Sequence, residues 1–282
     1  MVKINRMNEN ENVELYAKLE GWNPGGSVKD RPVLKMIEEA EKKNLLFEKT
    51  IIEATSGNTG IALAMIGAVK GYHVEIIMPE NASVERRKTI AAFGAKIILT
   101  PAKEGIDGAI RLANEKALKN PESYFLPDQY SNDNNPLAHY AQTAEEIWDQ
   151  TDGKIDVFVA GIGTGGTVMG VGKALKEKNP KIEVIAAEPE PDHKIQGLKN
   201  MKTTMVPKIF RREKVDRTIY VNDSDSFQTA RTLAKKEGIF VGISSGAAMW
   251  TAIQIANEKK KGRVVALLPD RGERYLSTDL FG

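Results

Sequence analysis

Short β-branched runs alternate with longer amphipathic stretches along most of this chain, and that alternation limits the possible folds more than any other feature. Residues 51–54, 74–78, 96–99, 155–160, 184–187 and 264–268 read as buried strands. Between them, residues 30–43, 83–93, 104–119 and 227–236 carry the apolar spacing of helices. Strand and helix in alternation predict βαβ units, hence an α/β fold of mainly parallel sheets flanked by helices. At 282 residues the chain accommodates two domains or one large α/β unit. The polar stretch 127–136, crowded with Ser, Asn, Asp and Pro, divides it into lobes of similar size, residues 1–132 and 133–282.

Composition then removes whole classes of chemistry. With no cysteine, the chain has no disulfide scaffold, thiolate zinc site, iron–sulfur cluster or catalytic thiol. Forty Lys and Arg against 38 Asp and Glu leave a net charge of +2, which lacks the basic excess of a nucleic-acid binder. The first twelve residues do not read as a secretory signal, and the apolar stretch 60–69 is too short to cross a bilayer. A cytoplasmic protein without membrane or nucleic-acid partners is therefore expected. His73, His139 and His193 are too far apart for metal-ligand spacing and read as structural; no metal is expected. Residues 222–226 read as a helix cap rather than a calcium loop.

Ligands in open α/β sheets bind beyond the carboxyl ends of strands, so the glycine-rich turns there are the candidate sites. Ala160-Gly-Ile-Gly-Thr-Gly-Gly-Thr167 lets backbone N–H groups approach an anion at a helix start. It fits a dinucleotide fingerprint, with Glu188 about 20 residues on as the ribose ligand, a different phosphate site, or a tight structural turn. The hydroxyls of Thr164 and Thr167 favour a compact monophosphate. Thr55-Ser56-Gly57-Asn58-Thr59-Gly60 gathers hydroxyls and an amide at another helix start, a neutral cradle for a carboxylate or a simple N-cap. In Asn23-Pro-Gly-Gly-Ser-Val-Lys-Asp-Arg31, Lys29 stands at a helix N-terminus, whose dipole favours the neutral amine needed for Schiff-base chemistry. A solvated surface lysine is the bland reading of the same residue. Gly242-Ile-Ser-Ser-Gly-Ala247 is a small-residue helix entry that admits a flat ligand or merely close packing.

These four turns, in this order, resemble the fold type II pyridoxal-phosphate enzymes, most closely the cysteine synthases (O-acetylserine sulfhydrylases). Lys18-Leu-Glu, Glu145-Glu-Ile-Trp148 and Gly272-Glu-Arg-Tyr-Leu-Ser-Thr278 extend the similarity over nearly the whole chain. Asn58-Thr-Gly-Ile-Ala-Leu-Ala-Met-Ile66, Ala138-His-Tyr140 and Pro269-Asp-Arg-Gly-Glu-Arg-Tyr275 follow the B type; Gly163-Thr-Gly-Gly-Thr167 is closer to the A type. The resemblance implies a two-lobed fold whose opening strands cross to the second lobe. It also implies a mobile unit over about residues 72–126, a homodimer, and pyridoxal 5'-phosphate as cofactor. Measured against the family pattern the N-terminus is about ten residues short, and no regulatory domain is expected after Gly282.

The implied roles follow residue by residue. Lys29 is the Schiff-base lysine, Asn58 meets the cofactor's ring hydroxyl, Gly163, Thr164, Gly165, Gly166 and Thr167 hold its phosphate, and Ser244 faces the pyridine nitrogen. Thr55, Ser56, Gly57, Thr59 and Gln129 hold the substrate carboxylate, while Gly197 lines the side-chain pocket. Lys199, two residues on, either reaches an anionic leaving group or nucleophile there or points into solvent. A hydroxyl rather than a carboxylate at Ser244 leaves the ring nitrogen neutral and favours prompt loss of a β leaving group. The implied reaction is β-replacement: Lys29 removes the Cα proton, the leaving group departs, and sulfide adds to Cβ, giving L-cysteine from O-acetyl-L-serine. O-phospho-L-serine or thiosulfate as substrates, or cystathionine, lanthionine and hydrogen sulfide chemistry, are the alternatives within that class. Outside it stand an NAD-dependent oxidoreductase, which leaves Lys29 and Thr55 to Thr59 unused, and a catalytically idle binding partner, against which the intact Lys29 argues.

Overall fold

The computed structural model of the chain describes every residue from Met1 to Gly282 except Ser56. Its strands are β1 (Val2–Ile4), β2 (Val13–Leu19), β3 (Thr50–Ala54), β4 (Val74–Pro79), β5 (Lys96–Thr100), β6 (Tyr124–Phe125), β7 (Val157–Gly161), β8 (Glu183–Pro189), β9 (Arg217–Val221) and β10 (Gly262–Leu268). Its helices are α1 (Asp30–Lys42), α2 (Asn58–Lys70), α3 (Val84–Ala92), α4 (Gly105–Lys119), α5 (Asn134–Ala138), α6 (Ala144–Gln150), α7 (Gly166–Lys178), α8 (Asp223–Thr232) and α9 (Ile243–Glu258). No helix among the described residues is long and apolar enough to cross a membrane.

Two sheets result. The larger has the order β1-β2-β10-β7-β8-β9 and is parallel except for β1 at its edge; the smaller, β5-β4-β3-β6, is wholly parallel. Parallel strands covered on both faces read as continuous apolar runs, and Val264 to Leu268 of β10 are buried without alternation. The opening strand β2 pairs with β10, Leu15 opposite Val264, so the first residues belong to the sheet built by the end of the chain. Helices follow the same logic. α1 buries a stripe of Val33, Met36, Ile37 and Ala40, whereas α2 and α9 are apolar on most sides and lie within the cores.

Four strands lie outside the expected set. β2 carries a period-two alternation of Val13, Leu15, Ala17 and Leu19 with Glu14, Tyr16 and Lys18, although Lys18 is itself buried; β6 has two residues, and β1 and β9 each bury a single side chain. The helix expected over 227–236 starts at Asp223, because the Asn222 side chain accepts the Asp225 N–H at 2.8 Å and caps it. The run expected from residue 137 starts at Asn134 and passes through a wide turn, His139–Thr143, before α6.

Candidate active site

A cavity of about 480 Å³ lies beyond the carboxyl ends of β3, β7 and β10. Of the residues singled out in the sequence, Lys29, Thr55, Asn58, Thr59, Gln129, Gly163, Thr164, Gly165, Thr167, Gly197, Lys199 and Ser244 line it. Gly57 and Gly166 stand just behind, within the same two turns, and Ser56 lies outside the described residues.

Lys29 is the residue before α1, and its half-buried side chain faces the cavity. Burial lowers its ammonium to about 8; the carboxylate of Asp270 opposes that shift and the guanidinium of Arg86 adds to it. Among the described residues no carboxylate is ion-paired with Nζ. The loop that carries Lys29 is anchored by residues near the start and the middle of the chain. Arg31 donates to Glu20 at 2.7 Å and to Glu146 at 2.6 Å, and Lys18 pairs with Glu146. The Lys18-Leu-Glu and Glu145-Glu-Ile-Trp148 segments thus meet at one arginine two residues from Lys29.

The glycines of the turn from Gly163 to Thr167 stand where a side chain would collide with its neighbours. A Cβ at Gly163 would come 2.3 Å from the Gly197 carbonyl oxygen, and one at Gly166 1.9 Å from Asn135 Oδ1. Gly165 has φ +87°, in the left-handed region that favours glycine, and serves as N-cap of α7 without a capping side chain. Thr164 Oγ1 takes the Gly166 N–H at 3.2 Å and is itself held by Asn135 at 3.1 Å. The N–H groups of Thr167 and Val168 have no acceptor among the described residues. A helix start with free donors, facing a cavity, is an anion site. Glu188, the acid that a dinucleotide reading requires, is unavailable: it is fully buried, accepting from Met201 N at 2.8 Å and Arg212 at 2.7 Å.

On the opposite wall, Gly57 has φ +147° and its missing Cβ would meet Arg86 Cδ at 2.2 Å, so only glycine fits there. Thr59 donates to Gln129 Oε1 at 2.7 Å, and Gln129 donates back to the Ala54 carbonyl at 3.0 Å. Beneath them, buried Glu53 accepts the Ala54 N–H at 3.0 Å and the Gln129 N–H at 3.1 Å. Sequence reasoning missed Glu53, whose signal was its place one residue before the strand's end.

Asn58 donates to Asp270 and accepts from Arg274, which also binds the Gly25 carbonyl. Asp270 further accepts from the Tyr275 hydroxyl at 2.7 Å, and Arg86 joins Tyr275 to Gln196 beside Gly197. None of Asp270, Arg274, Tyr275 and Arg86 was singled out as a site residue, although Asp270, Arg274 and Tyr275 fall within a quoted motif. Ser244, at the start of α9, presents to the cavity a hydroxyl with no partner among the described residues. Lys199 lines the cavity, but its ammonium is already engaged. Its ammonium is buried and paired with Asp107 of α4 at 3.1 Å, donates to the Met205 carbonyl at 3.2 Å, and lies 5.0 Å from the Tyr130 ring centre.

A desolvated lysine, an uncapped anion-binding turn and a free serine hydroxyl around one cavity suit pyridoxal phosphate, which needs an amine, a phosphate site and a ring-nitrogen partner. A family model described as pyridoxal-phosphate dependent enzyme matches residues 1–270, and the chain belongs to that family. Its relatives are more particular. The chain is 55% identical over 277 residues to a cysteine synthase of Aquifex aeolicus, covering 96% of this chain and 85% of the relative. It is 45% identical to cysteine synthase B of Escherichia coli, covering 100% and 93%. Among solved structures, the cysteine synthase of Entamoeba histolytica superposes with a TM-score of 0.93 at 41% identity, covering 99% and 87%.

Proposed function

We propose that this chain is a cysteine synthase, making L-cysteine by β-replacement from O-acetyl-L-serine and sulfide. The observation that carries the reading is Lys29: a desolvated amine on the cavity wall, between a carboxylate cradle and an anion-binding helix start. When bound, pyridoxal phosphate supplies a carbonyl that condenses with amines and a ring that withdraws electrons from the amino acid's Cα.

The chain's own residues do the rest. Gly163 to Thr167 would hold the phosphate, Asn58 the ring hydroxyl and Ser244 the ring nitrogen. Thr55 to Thr59 and Gln129 orient the substrate by its carboxylate, which sets Cα against Lys29. An amine lowered to about 8 is partly neutral near pH 7 and can take the Cα proton. Acetate then leaves Cβ, sulfide adds there, and Lys29 returns the proton to Cα.

The reading extends to two lobes, residues 1–132 and 133–282, with 72–126 closing over the substrate, and to a cytoplasmic homodimer. Contacts that span the cleft, Ser83 to the Arg274 carbonyl and Glu85 to Ser277, support closure. Small-angle scattering with and without the donor substrate tests it, and sedimentation tests the dimer.

Borohydride reduction of the purified protein decides the central claim. The expected result is loss of a visible absorption band with the label on Lys29, and a Lys29→Ala variant that folds but has neither band nor turnover. Turnover by that variant without added amine would remove Lys29 from the mechanism.

A further inference from the structure

Behind the phosphate-binding turn, and outside the cavity, sits a buried imidazole that the mechanism above does not use. His139 opens the wide turn before α6 and is 1% exposed. This turn lies directly against α7: a Cβ at Gly170 would fall 2.8 Å from His139 Cβ and 2.1 Å from the Pro136 carbonyl oxygen. The ring therefore has a fixed place. Its Nδ1 is 2.9 Å from Thr143 Oγ1, and its Nε2 is 3.4 Å from Oγ1 of Thr167, the last residue of the turn.

The hydrogen-bond inventory selects one arrangement of protons. Thr143 is fully buried, and its hydroxyl has one partner among the described residues, His139 Nδ1. A buried hydroxyl proton without an acceptor is costly, so Thr143 donates and Nδ1 accepts. A neutral imidazole that accepts at Nδ1 carries its proton on Nε2, and the group facing Nε2 is Thr167 Oγ1. Burial, with Lys29 and Arg31 nearby, lowers this imidazole to about 3, so a second ring proton is absent at neutral pH.

We propose that His139 is a positioning residue for the phosphate cradle: held as the Nε2–H form by Thr143, it donates to Thr167 Oγ1 and leaves the Thr167 hydroxyl proton free to bind phosphate. In the opposite tautomer Nε2 would accept that proton, and Thr167 would turn a lone pair toward the anion. The inference rests on the assignment of Gly163 to Thr167 to the cofactor phosphate, and it concerns the direction of one hydrogen bond rather than contact with the ligand.

Two measurements on the full-length holoenzyme test it. The chain has three histidines, so long-range proton–nitrogen correlation spectra, assigned with His73→Gln and His193→Gln, report the His139 tautomer directly. The proton is expected on Nε2; a proton on Nδ1 overturns the proposal. The second measurement is the dissociation constant of pyridoxal phosphate, with pyridoxal, which lacks the phosphate, as reference. His139→Leu and Thr143→Val should each weaken pyridoxal phosphate about tenfold and leave pyridoxal unchanged. His139→Gln, which restores a donor near Nε2, should recover most of the loss. If Thr167→Val weakens pyridoxal phosphate while His139→Leu and Thr143→Val do not, His139 has no such role. If Thr167→Val has no effect either, the phosphate assignment itself fails.

Discussion

Asn58 donates its amide to Asp270 Oδ2 at 2.7 Å, joining the start of α2 to a residue 212 positions later. Arg274 binds the other end of the same amide, so the plane of Asn58 is fixed from both sides before any ligand arrives. Asp270 does a second thing, since its charge keeps the Lys29 ammonium from falling further.

The sign of an Asp270→Asn change follows. A neighbouring anion favours the charged ammonium, so removing it lowers the proton affinity of Lys29, and the Arg86 guanidinium acts on Lys29 in the same direction. Lys29 must be neutral to take the Cα proton, and kcat reports groups in the substrate complex. The acidic limb of the kcat profile should therefore move to lower pH in Asp270→Asn. A limb that stays in place, or moves upward, would show that the profile does not report Lys29.

Glu53 carries a prediction that separates binding from chemistry. Its two oxygens hold the N–H groups of Ala54 and Gln129, and Glu53→Ala would strand both in the core, at about 1–3 kcal/mol for each. The thermal midpoint should fall, and KM for O-acetyl-L-serine should rise about tenfold because Gln129 loses its position, while KM for sulfide stays the same. Thr59→Val should reproduce the rise in KM with a smaller loss of stability. Equal changes in both KM values would mean that Glu53 serves the fold alone.

What was legible in the sequence divides along physical lines. The central parallel strands and the long helices announce themselves because burial on both faces of a strand, or along one stripe of a helix, leaves a local pattern. β2 leaves alternation in place of a continuous apolar run, because its Glu14 and Lys18 make ion pairs with Arg263 and Glu146. The turns around Lys29, Thr55 to Thr59, Gly163 to Thr167 and Ser244 were visible because glycines and hydroxyls cluster within a few residues. Asp270 and Arg274 were not singled out as site residues: each acts on Asn58 from more than 200 positions away, and nothing near them in sequence marks that contact. His139 read as structural for the same reason, its partner Thr167 being 28 residues distant.

Ser244 offers a test of the ring-nitrogen assignment. A carboxylate in its place would favour the protonated ring and stabilise charge that a hydroxyl leaves unstabilised. Ser244→Asp should keep bound pyridoxal phosphate but slow expulsion of acetate at least tenfold in stopped-flow absorbance. Ser244→Ala, measured beside it, separates charge from bulk, because position 244 is buried and Gly197 lies close by. Expulsion at the normal rate in the Asp variant would show that residue 244 does not govern the ring nitrogen.

Lys199 closes the series with a prediction about substrate choice. Its ammonium is shared among Asp107, the Met205 carbonyl and the face of Tyr130, so the charge offered to the cavity is largely neutralised by the carboxylate 3.1 Å away. Asp107→Asn would release that charge. A phosphate leaving group gains from a charge-assisted hydrogen bond, about 1.5–3 kcal/mol, whereas the neutral acetyl ester gains little. The ratio of kcat/KM for O-phospho-L-serine to that for O-acetyl-L-serine should therefore rise about tenfold in Asp107→Asn and fall below the wild-type value in Lys199→Met. Because Asp107 sits on α4, outside the cavity wall, a change in folding would depress both substrates together and leave the ratio alone. A ratio unmoved in both variants would mean that this buried lysine ties α4 to the wall and plays no part in choosing the substrate.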